Sequence, residues 1–99
     1  MTDCIVTPTI GEILWEEFME PMGISAYKLA RGTFVPVSRI QDILHGRRKI
    51  TVDTSIRLGR YLGVSDRYFL NLQNDIDIRN EQITMTEELE KIQPFAACV

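Results

Sequence analysis

Between Val37 and Lys49 the chain gathers side chains suited to reading a nucleic acid: Arg39 and Gln41, then Arg47, Arg48 and Lys49. An arginine can bond both acceptors on a guanine edge and a glutamine can do the same to adenine, each good pair giving about 1 to 3 kcal/mol of discrimination. Val37 suits a thymine methyl and Ser38 a phosphate oxygen. Asp42 repels phosphate, so its expected role is to orient Arg39 or to accept from a cytosine amino group. Arg47, Arg48 and Lys49 read as backbone clamps, which place a protein on duplex DNA without reading its sequence.

Other chemistry finds little to work with. The single histidine, His45, stands beside Gly46, where a helix end favours it through the dipole. Cys4 and Cys98 lie near opposite ends of the chain, with no metal-ligand spacing to each other or to His45. No nucleophile is paired with a base and no glycine-rich phosphate loop is present, so no enzyme, metal or cofactor is expected.

Charge placement supports a phosphate-binding centre despite a net charge of -3. Residues 31–67 carry Arg31, Arg39, Arg47, Arg48, Lys49, Arg57, Arg60 and Arg67 against Asp42, Asp53 and Asp66. The flanks are acidic: Asp3, Glu12, Glu16, Glu17 and Glu20 on one side, and Asp75, Asp77, Glu81, Glu87, Glu88 and Glu90 on the other. A basic middle between acidic ends suits a protein that docks phosphate on one surface and a basic partner on another.

These groups must be carried on helices, because no sustained alternation of apolar and polar residues marks a strand. Thr9 and Glu12 have capping-box spacing and open a helix with Ile10, Ile13, Leu14 and Phe18 on one face; Pro21 and Gly23 end it. Ser25 caps a second helix to Arg31, with Leu29 and Ala30 inward. After a connector at 32–35, Pro36 starts a third helix to His45, buried through Ile40, Ile43 and Leu44. Thr51 caps a fourth helix, anchored by Ile56, Leu58 and Leu62, in which Gly59 costs about 1 kcal/mol unless close packing offsets it. Ser65 caps a fifth, bearing Tyr68, Phe69, Leu72 and Ile76. Thr84 and Glu87 open a short last helix with Met85, Leu89 and Ile92 on one side, leaving 95–99 as a tail. Trp15, Tyr68 and Phe69 are expected in the core, and Arg57 and Arg60 as solvated side chains.

The expected fold is therefore all-α: a five-helix, lambda-repressor-like (Xre/Cro) helix-turn-helix domain with a short C-terminal helix. The second and third helices form the motif, with small Ala30 at the crossing and Ile40 and Ile43 wedging the recognition helix in place. The DNA-binding domain is assigned to 8–80, and the C-terminal helix and tail to 81–99. No apolar run reaches the length of a membrane span, and the first residues lack the pattern of a secretory signal, so a cytoplasmic protein is expected.

Several segments resemble one family. These are Thr9-Ile10-Gly11-Glu12-Ile13-Leu14, Glu17-Phe18 with Glu20-Pro21-Met22-Gly23, Ile50-Thr51-Val52-Asp53-Thr54 with Arg57-Leu58, and Phe69-Leu70-Asn71-Leu72-Gln73 with Asp77-Ile78-Arg79. Together they are similar to the host-inhibition-of-growth antitoxin A (HigA) family of the Xre/Cro-like class. The resemblance implies a protein that neutralises a HigB-like toxin, an mRNA endonuclease, and represses its own operon as a dimer on double-stranded DNA. It carries DNA contact to Ser38, Arg39 and Gln41, with Arg47, Arg48 and Lys49 behind them. It also shows departures: Phe34 stands where the turn commonly has glycine, and Thr33 replaces a usual leucine. A stand-alone repressor and a protein-only toxin inhibitor are the alternatives at this point.

Overall fold

Residues 8–95 are described by the structure, a computed structural model; Cys4 and Cys98, and most of the expected tail, lie outside them. The first helix, α1 (residues 10–22), opens on the capping box: Glu12 N–H donates to Thr9 Oγ1 at 3.1 Å and Thr9 N–H to Glu12 Oε1 at 3.0 Å. Pro21 does not end this helix as expected. The stretch Leu14–Met19 is π-helical, and α-helix resumes over Glu20–Met22 before Gly23 turns the chain with φ +68°. Pro21 has no N–H to donate and its ring crowds the carbonyl one turn back, and a widened turn just before it eases both problems.

Ser25 caps α2 (Ala26–Thr33), accepting from Lys28 N–H at 3.1 Å. That helix runs two residues beyond the expected Arg31. Val35 N–H then reaches back to Ala30 O at 3.1 Å, closing α2 in the manner of a Schellman turn. The helix α3 (Val37–Leu44) starts after Pro36, and Thr51 caps α4 (Val52–Leu62) through a 3.3 Å bond from Thr54 N–H.

The long helix α5 (Tyr68–Thr84) is not capped by the Ser65 side chain. Ser55 of α4 does that work across space: Leu70 N–H donates to Ser55 Oγ at 3.0 Å, while Ser55 Oγ donates to Asp66 O at 2.6 Å. A free N–H at a helix start accepts any oxygen that packing brings near it. The Thr84–Glu87 capping box does not form either. Thr84 Oγ1 donates to Asn80 O at 3.1 Å, and the last helix, α6 (Thr86–Glu90), follows a one-residue break at Met85.

Among the described residues this makes six helices and no strand. Their core is Ile10, Leu14, Phe18 and Met19 of α1, Leu29 and Ala30 of α2, Ile40 and Ile43 of α3, Leu58 and Leu62 of α4, and Phe69 and Ile76 of α5, with Ile50 from the loop. Phe18, Tyr68 and Phe69 stack edge to tilted face, with centroids 5.1–5.7 Å apart. Phe69 is in the core as expected. Trp15, Ile56 and Tyr68, in contrast, are exposed, because the residue beside each of them in sequence, Leu14, Ser55 and Phe69, takes the inward position of its helix.

Gly59 has the packing reason its position required. A Cβ there would meet Ser65 O at 2.4 Å, so α4 approaches the next loop as closely as backbone allows. Gly11 does the same at the other end of the bundle, lying under the last carbonyls of α3.

Burial stops at Ile76. Ile78, Ile83, Leu89, Ile92 and Phe95 are all exposed, so of the expected apolar stripe of the last helix only Met85 is partly covered among the described residues. The radius of gyration, 16.9 Å, exceeds the ~13 Å of a compact domain this size because the end of α5 and α6 project away from the bundle.

Candidate nucleic-acid interface

Ile40 and Ile43 are fully buried, and the 3.6-residue period therefore turns the other face of α3 outward. Ser38 and Gln41 are exposed on that face, and Val37, Arg39 and Asp42 are partly exposed. Arg47, Arg48 and Lys49 are exposed on the loop that follows. The helix and its basic loop thus form one continuous surface.

Arg39 is tethered but not buried. Its Nη1 donates to Asp53 Oδ2 at 3.0 Å, with 28% of the side chain still open to solvent. Asp53 lies in the first turn of α4, where the helix dipole favours a carboxylate. Arg57, one turn along, donates from Nε to Asp53 Oδ1 at 3.1 Å and Oδ2 at 3.0 Å. Its Nη1 also donates to Thr33 O at 2.9 Å. Arg57 is therefore not a merely solvated side chain: it ties α4 to the end of α2. Arg60 is likewise engaged, in a two-point pair with Asp66 at 3.1 Å for each contact.

The carboxylate expected to orient Arg39 was Asp42, and the structure pairs Asp42 with Arg47 instead, at 3.1 Å. Asp42 and Arg39 are three residues apart on α3, close enough in principle, but Asp53 comes to Arg39 from the neighbouring helix. The link spans 14 residues of sequence, which no local spacing rule covers. Only the i, i+4 relation of Asp53 to Arg57 was visible in the sequence.

Behind the basic loop, Ile50 N–H donates to the buried Gln73 Oε1 at 3.1 Å, and Gln73 Nε2 donates to Asp77 Oδ1 at 3.1 Å. Lys49 Nζ completes the chain with Asp77 Oδ2 at 3.2 Å. The loop carrying the three cations is thus moored to α5. His45 Nδ1 lies 2.7 Å from Gln41 O at the end of α3, a helix-end position as expected.

The turn keeps its geometry without glycine. Phe34 adopts φ +62°, ψ 45°, the left-handed conformation a glycine would take, and the residue is 85% exposed. Thr33, in the place of a leucine, is buried, and its hydroxyl donates to Leu29 O at 2.8 Å. A buried hydroxyl with a partner is tolerated where an unpaired one is not.

A helix-turn-helix family model matches residues 16–69, which contain α2, α3 and α4 whole. Antitoxin HigA-1 of Vibrio cholerae is 30% identical over 87 residues, covering 88% of this chain and 82% of that one. The chain belongs to the HigA-type helix-turn-helix family. Virulence-associated protein I of Dichelobacter nodosus is 46% identical over 69 residues, or 70% of this chain; the match spans 64% of that protein's length. A crystal structure of the Pseudomonas aeruginosa protein PA4674 in complex with its operator DNA superposes with a TM-score of 0.86 at 33% identity, over 95% of this chain and 100% of that one.

In HigA-type terms, α2 and α3 are the two helices of the helix-turn-helix. The family segments quoted from the sequence fall on structural joints. Gly11 of the first lies against α3, Asp53 and Arg57 of the third clasp the turn, and Gln73 and Asp77 of the last moor the basic loop. Among the described residues no helix is long and apolar enough to cross a membrane.

Proposed function

We infer that this HigA-type chain is the antitoxin of a toxin–antitoxin pair and represses its own operon by sequence-specific DNA binding. One observation carries the repressor role: a helix clamped by fully buried Ile40 and Ile43 turns Val37, Ser38, Arg39 and Gln41 outward beside Arg47, Arg48 and Lys49. The relative PA4674, solved in complex with its operator DNA, supports operator binding by a chain of this fold.

Arg39 and Gln41 face base edges, Val37 a thymine methyl and Ser38 a phosphate. Arg47 and Lys49 exchange their carboxylate partners, Asp42 and Asp77, for phosphates, and Arg48 joins them. Asp42, released from Arg47, is placed to accept from a cytosine. Residues 8–80 supply this DNA-binding unit, and 81–99 are assigned to a separate C-terminal segment that includes the end of α5 and all of α6. The chain acts in the cytoplasm and needs no cofactor.

The projecting end of α5 and α6 supplies a dimer contact, because a solvated helix with Ile78, Ile83, Leu89 and Ile92 unburied gains stability from a second copy. Two recognition helices then reach successive major grooves about 34 Å apart on a palindromic operator. Ile83→Glu tests the contact: sedimentation should change from dimer to monomer, and an unaltered dimer rejects this surface. The toxin partner, a HigB-like mRNA endonuclease, is inferred from the family; copurification with the product of the adjacent gene tests it.

The DNA reading is tested by gel shift with the DNA upstream of the gene. Arg39→Ala should weaken operator binding and relax preference at one G·C pair, by about 1 to 3 kcal/mol. Unchanged affinity and preference would rule out Arg39 as a base reader.

A further inference from the structure

We propose that Asp53, which lies outside the recognition helix, is a positioning residue for operator discrimination: its carboxylate sets the orientation in which Arg39 presents its guanidinium to a base edge. The proposal rests on the reading of Arg39 as a base-contacting residue.

The geometry supports it in three steps. Asp53 engages Arg39 through Nη1 alone, at 3.0 Å. A guanidinium carries five N–H donors and a guanine edge takes two, so an Arg39 held at Nη1 keeps its remaining donors for a base. The tether also confines a long side chain before binding, so less rotamer freedom is lost when the contact forms.

Asp53 is itself held independently of Arg39. Both of its oxygens accept from Arg57 Nε, at 3.1 and 3.0 Å, and Arg57 is anchored to Thr33 O at 2.9 Å. The carboxylate is therefore fixed relative to the helix-turn-helix turn, and Arg39 is oriented against that fixed point.

A third step concerns wrong sites. Asp53 is a negative charge on a basic surface, with its side chain 58% open to solvent. Where Arg39 finds its base, the guanidinium remains shared between base and carboxylate. Where it does not, a move toward the DNA backbone gives up Asp53 for a phosphate. The carboxylate thus penalises non-specific engagement, which is how repulsive groups create specificity.

The test compares wild type, Arg39→Ala, Asp53→Asn and the double variant by fluorescence anisotropy. The probes are the upstream operator duplex, the same duplex with each G·C pair replaced singly, and a scrambled duplex of equal length. Asp53→Asn should cut the preference for operator over scrambled DNA about tenfold, a size expected for contacting residues that act together. The loss should fall at the same base pair as that of Arg39→Ala, and the double variant should discriminate no worse than Arg39→Ala alone. The salt dependence should stay as in wild type, because phosphate contacts are unchanged.

Loss of Arg39→Ala's own effect would overturn the base-reading role and the proposal with it. An Arg39→Ala effect together with an Asp53→Asn variant of wild-type preference would overturn the proposal alone. So would an Asp53→Asn variant that weakens operator and scrambled DNA in equal proportion, as a purely structural role predicts. If Asp53→Asn fails to fold, Asp53→Glu is read instead. It keeps the charge but displaces it by one methylene, and should shift preference at the Arg39 position; an unchanged preference there overturns the proposal.

Discussion

Gln73 on α5 accepts the backbone N–H of Ile50 at 3.1 Å, and both groups are buried. This bond joins the loop behind the recognition helix to a helix 23 residues further along the chain. Gln73→Leu leaves a buried N–H without a partner, which costs about 1 to 3 kcal/mol. Urea denaturation should show that loss. Operator affinity should fall as well, since the loop bearing Arg47, Arg48 and Lys49 loses its mooring.

Phe34 occupies the left-handed region with its ring in solvent, so its side chain contributes little burial while its backbone is strained. Phe34→Gly should raise stability by about 1 kcal/mol, the cost of that conformation for a residue bearing a Cβ. Thermal melting measures it. Operator binding should be unchanged, because the turn already has the geometry that glycine would give; a large gain in affinity would show instead that the ring obstructs DNA.

Gly11 meets the recognition helix backbone to backbone: a Cβ would lie 2.6 Å from both Ile43 O and Leu44 O. Neither carbonyl can move without shifting α3. Gly11→Ala should destabilise the fold by about 1 to 3 kcal/mol through overpacking, although alanine is the better helix former. A neutral effect on melting would show that α1 slides freely over α3.

Two exposed carboxylates contribute to the acid side of the stability profile. Arg57, hydrogen-bonded to Asp53, holds that carboxyl below its ordinary value of 3.8, with Arg39 adding to the effect. Arg60 does the same for Asp66. A carboxyl whose value is lowered in the folded state stabilises the protein above its unfolded value, and that contribution disappears as pH falls through the folded one. Melting temperature should therefore drop below about pH 4, and less steeply in Asp66→Asn than in wild type. Added salt should shrink the difference, since both groups face solvent. A variant that parallels wild type through this range would remove the Arg60–Asp66 pair from the account.

How much of this was legible in the sequence varies by residue. The caps at Thr9, Ser25 and Thr51 depend on a side-chain oxygen three residues before the N–H it serves, and all three bonds form as their spacing implies. Ile40 and Ile43 reveal the buried face of α3, and so its outward one, because a helical period leaves no other choice. The all-α class and the helix-turn-helix follow from such local relations.

Tertiary structure decided the rest, wherever a group had partners of equal chemistry at different sequence distances. Ser65 was the nearby cap for α5, and Ser55, brought over by α4, serves it instead. Asp42 was the nearby anion for Arg39, and Asp53 holds it from another helix. Local spacing determines which groups can meet within one turn of helix. Which of the distant ones do meet depends on how the helices pack, and here packing is set by the close approaches at Gly11 and Gly59 and by the shape of the core.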